Sequence, residues 1–234
     1  MDEDRQKPGS HHPHIESLVE TEVEQWARYA MRVPRTSFFL AICVIGALLT
    51  ALSLTLHILP WWTVVGVTGI LIIPLIASVL RKHHVWTRRM ALTTITVLTT
   101  GLLISVFYLV VALFHHTESA LSLFRDAILL WTTNVLIFAV WYWEVDQGGP
   151  LKRHAGVPEA PDLLFPQMIS DISYWQNWHP AFVDYLFLAF NTSTAFSPTD
   201  TAALSQRIKV LMMTQSSISL VVVAVIAARA INIA

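Results

Sequence analysis

Residues Ser37–Leu59 offer no charged side chain over 23 positions, and a chain with such a run has few ways to fold. A helix of that length covers the roughly 30 Å hydrocarbon core of a bilayer. Trp61–Leu80, Met90–Phe114, Ala120–Trp143 and Ile208–Ile233 are further predominantly apolar runs. In lipid every backbone amide must be satisfied internally, which leaves helices or closed barrels, and these lengths fit helices. The expected fold is all-α: a polytopic membrane helix bundle of five to six spans with an N-terminal amphipathic helix. Composition agrees, with 54% hydrophobic and 13% charged residues, against about 25% charged in a soluble domain. The net charge of -1 gives no bulk attraction to nucleic acid. The partners expected are the lipid bilayer and further copies of the chain.

Five segments follow along the chain. Residues 1–14, with His11, His12 and His14, read as a disordered tail. Residues 15–36 read as the amphipathic helix. Ser17 and Glu20 have the spacing of a capping box, and Val19, Val23, Trp26 and Ala30 recur on one face until Pro34. Residues 37–143 form four spans, 144–180 a connector, and 181–234 a short polar helix, a turn and the last span. The polar, acidic first 35 residues do not read as a signal peptide.

Arginine and lysine set the orientation. Arg81, Lys82, Arg88 and Arg89 crowd one short loop, and Arg28, Arg32 and Arg35 precede the first span. Such loops stay cytoplasmic, so the N-terminus is expected inside, in a multi-pass protein of the inner (plasma) membrane. Four spans then return the 144–180 connector to the cytoplasmic side. Trp141-Tyr142-Trp143 reads as an aromatic interface belt, and Glu144 and Asp146 as a solvated helix end.

The 181–207 stretch departs from this pattern. It begins apolar, then carries Asn191, Thr192, Ser193, Thr194, Phe196, Ser197, Pro198, Thr199 and Asp200 where membrane depth is expected. Two readings fit. Ser197 is the N-cap and Pro198 the first residue of the following helix, or Thr192–Asp200 is irregular backbone lining a water-filled path. Intramembrane polar residues elsewhere are Asn134, Gln215 and Arg229. An amide at such depth normally faces another helix. If Ala181–Phe196 crosses fully there are six spans, and Arg229 reaches the face of Glu144 and Asp146. That is the preferred count, with five spans plus a re-entrant segment as the other.

The order of helix, long loop, short helix, threonine-containing polar turn ending in aspartate, and last helix resembles the pore module of two-transmembrane potassium channels. In those, Thr-Val-Gly-Tyr-Gly-Asp follows a short pore helix. Here the run is Thr194-Ala195-Phe196-Ser197-Pro198-Thr199-Asp200. Thr194 matches the filter threonine and Asp200 the aspartate. Leu204, Arg207, Lys209, Leu211, Gln215 and Ala228-Arg229 are similar in style to the inner helix of small bacterial channels. The resemblance covers about Trp131–Ala234. The two filter glycines have no counterpart and one residue is added, so it implies an ion-channel-like pore with a degenerate filter, not selective for potassium. The chain also resembles uncharacterised bacterial inner-membrane proteins that share a TAFSPTD-type break, for which no function is implied.

Other chemistries find little. His115, His116 and Glu118 are adjacent or nearly so, and neighbouring helical residues do not face one site. No metal, no cofactor and no catalytic residue are therefore expected. A structural or regulatory membrane protein is the alternative to a pore. The single cysteine, Cys43, reads as a small apolar residue.

Overall fold

A computed structural model describes residues 36–56, 60–80, 84–115, 120–154, 160–176, 178–197 and 200–231. The histidine-rich tail, the amphipathic helix of 15–36, His57, His116, Glu118, Pro198 and Thr199 lie outside the described residues. Five long helices are α1 (Thr36–Thr55), α2 (Trp61–Leu80), α3 (His84–His115), α4 (Ala120–Val145) and α7 (Gln206–Ile231). Between the last two come a short helix α5 (Pro150–His154), a two-residue strand β1 (Leu163–Leu164), the 14-residue helix α6 (Phe182–Ala195) and a second strand β2 (Ala202–Ala203).

The chain is an all-α, membrane-embedded bundle. Trp86–Phe114, Leu121–Gly148 and Gln206–Ala228 are long and apolar enough to cross a bilayer, and α1 and α2 are apolar and uncharged. Leu40, Ile70, Ile73 and Phe107 are exposed, more apolar surface than water tolerates on a monomer. Hydroxyls on the outer helix faces bond to their own backbone. Thr93, Thr96 and Thr100 are exposed, and each donates to the carbonyl four residues earlier, which removes the cost of a bare hydroxyl in hydrocarbon.

Helix α4 is the hub, packing on α1, α3, α6 and α7. Within its apolar window 61% lies inside the bundle, against 28% for α3 and 33% for α7. Leu130, Ile137, Phe138 and Tyr142 are fully enclosed. Helices α1 and α2 meet closely at Gly46, where a Cβ would sit 2.7 Å from Thr68 Cγ2, the small-residue contact typical of membrane helices.

The 181–207 stretch turns back on itself. Tyr185 in the first turns of α6 reaches Asp146 just past α4, and Arg207 at the start of α7 reaches Asp162, whose carboxylate also bonds Gln147. Helices α6 and α7 therefore start at the same end of the bundle. They run alongside each other, since Gln215 of α7 contacts Ala189 and Ser193 of α6. At 14 residues, α6 is about 21 Å long, short of the roughly 30 Å core. The chain then returns to β2, which pairs antiparallel with β1, Leu163 opposite Ala203. This half-crossing replaces the preferred sixth span. Arg229 lies in the last turns of α7, at the end remote from Glu144 and Asp146 and not at their face as six spans would place it. The reason is length: α6 runs out of helix at Phe196, which takes a left-handed conformation (φ 54°).

Candidate functional site

Two polar layers hold the half-crossing. The outer one starts from three residues with positive φ after α4: Gln147 (φ 51°), Gly148 (φ 72°) and Gly149 (φ 99°). Gly149 has φ 99° and ψ 170°, a combination essentially confined to glycine. A Cβ there would also meet the Glu144 carbonyl at 3.2 Å. This tight exit folds the connector back under α4 and encloses Asp146. Its Oδ1 accepts the backbone N–H groups of Asp162 (3.0 Å) and Leu163 (3.1 Å), and its Oδ2 accepts the Tyr185 hydroxyl at 2.6 Å.

Arg153 completes the layer. It is buried, its Nη1 donating to the carbonyls of Asp146 (2.8 Å) and Trp143 (3.2 Å) and lying 3.9 Å from Asp146 Oδ2. The guanidinium carbon sits 4.7 Å from the Trp143 ring centroid and 5.0 Å from that of Tyr185. Its remaining N–H groups face π-systems, which attract a desolvated cation. Asp162 binds Arg207 in two-pronged fashion, Nε to Oδ1 at 2.6 Å and Nη2 to Oδ2 at 2.5 Å. Burial pushes the Asp162 carboxyl up, but its bonds from Arg207, Ser205 and Gln147 outweigh that and hold it below the usual carboxylate range.

The inner layer lies eight residues deeper along α7, about 12 Å at 1.5 Å per residue. Gln215 is fully buried. Its Nε2 donates to the Ala189 carbonyl (2.7 Å) and to Ser193 Oγ (2.7 Å), and its Oε1 accepts the Tyr142 hydroxyl (2.5 Å). Ser216 donates to the Thr192 carbonyl at 3.3 Å. Asn134 of α4 donates to the Gln215 carbonyl (3.2 Å) and to Ser219 Oγ (2.9 Å). Three helices are thus tied by buried amide and hydroxyl groups.

Of the residues singled out from sequence, Asn134, Thr192, Ser193 and Gln215 meet in this layer. Thr194, Phe196, Ser197 and Asp200 are exposed on the other side of the turn. Asn191 is half-buried, and its Nδ2 has no acceptor among the described residues. Both sequence readings of the break need correction. Thr192–Ala195 is regular helix, with Thr192 and Thr194 donating to the carbonyls of Leu188 and Phe190. Among the described residues after Ser197 the next helix, α7, begins at Gln206, past β2. Two further expectations fail because α6, α7 and the folded-back connector enclose the end of α4. Tyr142 and Trp143 point into the bundle instead of forming an interface belt, and Glu144 and Asp146 are buried instead of solvated.

Tyr185, Arg153, Asp162 and Ser219 were missed. Arg153 and Asp162 look like loop charges in a connector rich in proline. The available clue was Arg207 opening an apolar helix, which needs a carboxylate partner near the membrane. Among the described residues no group of three or more His, Cys, Asp or Glu is placed to hold a metal ion. The chain matches no protein-family profile, no curated protein sequence and no solved structure.

Proposed function

We propose that this integral membrane protein is an oligomeric, ion-channel-like pore without potassium selectivity, each protomer lending the exposed side of its half-crossing to a shared path. The observation that carries this reading is the division of polar groups around α6. Thr192 and Ser193 are buried, Ser193 against Gln215, while Thr194, Ser197 and Asp200 are exposed. Thr194 satisfies its hydroxyl on the Phe190 carbonyl, but a carboxylate such as that of Asp200 is costly against lipid, so this side of the element faces a neighbouring protein or water. A short helix entering the bilayer, a turn and an extended return form the element from which pore linings are built. Pro198 lacks an amide and no filter glycine is present, which supports a path lined by side chains such as Asp200.

The charged end carries Arg88, Arg89, Arg153 and Arg207. By the bias of basic residues toward the cytoplasm, the half-crossing enters from that side. Labelling of Ala160→Cys, in a Cys43→Ala background in right-side-out membrane vesicles, tests this; labelling by an impermeant reagent from outside overturns it. Purified protein in liposomes tests the pore itself. Cation flux above empty liposomes, lowered at least ten-fold by Asp200→Ala, is the expected result. No flux, or flux indifferent to Asp200→Ala, overturns it. The saturated hydrogen bonding of Gln215 favours one second reading, a structural or regulatory membrane protein in which the half-crossing only braces α4 against α7. Absent flux together with a partner that co-purifies supports that reading.

A further inference from the structure

A groove of about 520 Å³ opens between α3, α4 and α7 at the charged end of the bundle. Arg88, Gln206 and Arg207 line it together with Leu92, Trp141, Val145, Val210 and Leu211, and its wall is mainly apolar. The polarity is divided along each helix. On α3, Arg88 precedes Leu92 by one turn, and on α7, Gln206 and Arg207 precede Val210 and Leu211 by one turn. The cationic part therefore lies toward the helix ends and the apolar part toward the bilayer core. Trp141 is held in the wall by its Nε1 bond to Thr99 Oγ1 at 2.9 Å.

Of the two guanidinium groups, that of Arg207 is fixed in place. It is gripped in two-pronged fashion by Asp162, yet its side chain keeps 54% of its surface exposed. Arg88 lies beside Gly149, and its Nε has no acceptor among the described residues. A planar guanidinium held in orientation suits phosphate oxygens better than a mobile lysine does.

We infer that this groove holds a glycerophospholipid with an anionic headgroup, its phosphate against Arg88 and Arg207 and one acyl chain along Leu92, Val145, Val210 and Leu211. The occupant must be an amphiphile, because the groove carries two arginines at one end, Arg207 already shared with Asp162, and is apolar along its length. It must come from the bilayer, because the apolar walls continue into the membrane-spanning parts of α3 and α7. The volume falls in the range of sites that enclose a ligand of a few tens of atoms, which suits one chain with its phosphate. Basic pockets between membrane helices on the cytoplasmic side are favourable sites for such headgroups. A lipid seated here joins α3 to α7, on the flank of α7 away from α6.

Native mass spectrometry of the purified full chain, exchanged into phosphatidylglycerol or phosphatidylcholine of the same acyl composition, tests the assignment. Phosphatidylglycerol is expected to be retained at least five-fold over phosphatidylcholine. Arg88→Gln brings the two within two-fold. Leu92→Trp or Leu211→Phe, which fill the apolar part from opposite walls, lowers retention of both lipids at least three-fold. Thermal melting identifies the blocking variant that keeps the parent fold, and that variant is the one scored. Equal retention of the two lipids by the parent, a preference unchanged in Arg88→Gln, or displacement of phosphatidylglycerol by inorganic phosphate alone overturns the assignment. The last outcome would mean that a bare anion accounts for binding.

Discussion

Helices α1, α2 and α3 differ from α4, α6 and α7 in what their polar groups do. In the first set hydroxyls mostly bond to their own helix, as Thr50 does to Gly46 and Thr99 to Ile95. Cross-helix polar links there are few and single, such as Ser78 with Thr87 (2.8 Å). In the second set threonines such as Thr133 and Thr192 also bond to their own helix, but Asn134, Tyr142, Gln215 and Ser216 bond between helices, and charges are enclosed as well. Apolar packing alone gives little preference among the ways two helices can meet in lipid, since the tails are as apolar as leucine. Buried amides and a carboxylate single out one arrangement, because any other leaves them bare. The first set therefore behaves as a scaffold, and the second is the part whose geometry is specified.

The sharpest way to break this contrast is Asp146→Ala. It removes the acceptor of two backbone amides and of Tyr185, and it strands the buried Arg153. Loss of one partner of a buried ion pair costs about 3–5 kcal/mol. Thermal or denaturant unfolding in detergent is expected to show a loss of that order, with Asp146→Ala/Arg153→Met recovering part of it. A loss under about 1 kcal/mol would mean that this clasp, the outer layer of Asp146, Arg153 and Tyr185, does not hold the half-crossing. Next in size is Gln215→Leu, which leaves Tyr142 and Ser193 without their partner. Polar pairs between membrane helices average about 0.6 kcal/mol each, and with the stranded groups the expected loss is about 2 kcal/mol. Tyr142→Phe in the Gln215→Leu background should then cost less than it does alone.

How much of this could be read beforehand divides along the same line. Apolar runs gave α2 its bounds at Trp61 and Leu80 and the other long helices to within a few residues, because lipid imposes the same demand on every turn. Helix α3 starts earlier than its apolar run, at His84, since Arg88 and Arg89 extend the helix past the hydrocarbon. Asn134, Thr192, Ser193 and Gln215 were conspicuous as polar residues at membrane depth. What they touch was not legible, because pairing depends on how far α6 runs before turning back. The clasp was the least legible part. Asp146 and Asp162 are sixteen positions apart, joined by a loop whose path depends on positive-φ backbone at Gln147, Gly148 and Gly149.

Acid distinguishes the two parts more gently. The Asp162 carboxyl is held below the usual carboxylate range in the folded chain. Its bridge to Arg207 therefore stabilises the fold fully above the unfolded value of about 4, and the contribution fades as pH falls from there through the lower folded value. Because the Arg207 side chain is 54% exposed, solvent screening keeps the effect to about 1 kcal/mol. Melting curves from pH 6 to pH 3 should show the parent losing this increment, and Asp162→Asn should lie near the acid limit throughout. A parent and variant with parallel pH profiles would remove the bridge from the account.

The smallest effect is expected in the scaffold. Thr96 is exposed on α3 and its hydroxyl returns to the Leu92 carbonyl at 2.8 Å. Replacing it by valine keeps the shape and the β-branch, and leaves a carbonyl still engaged by the helix amide four residues on. No other side chain loses a partner. The expected change in unfolding free energy is below about 0.5 kcal/mol, and liposome flux should equal the parent's. Ser193→Ala, the matched removal of a hydroxyl in the specified half, strips a partner from buried Gln215 and should cost about 1 kcal/mol. Equal losses for Thr96→Val and Ser193→Ala would erase the distinction, because polar groups would then matter alike whether they bond within a helix or between helices.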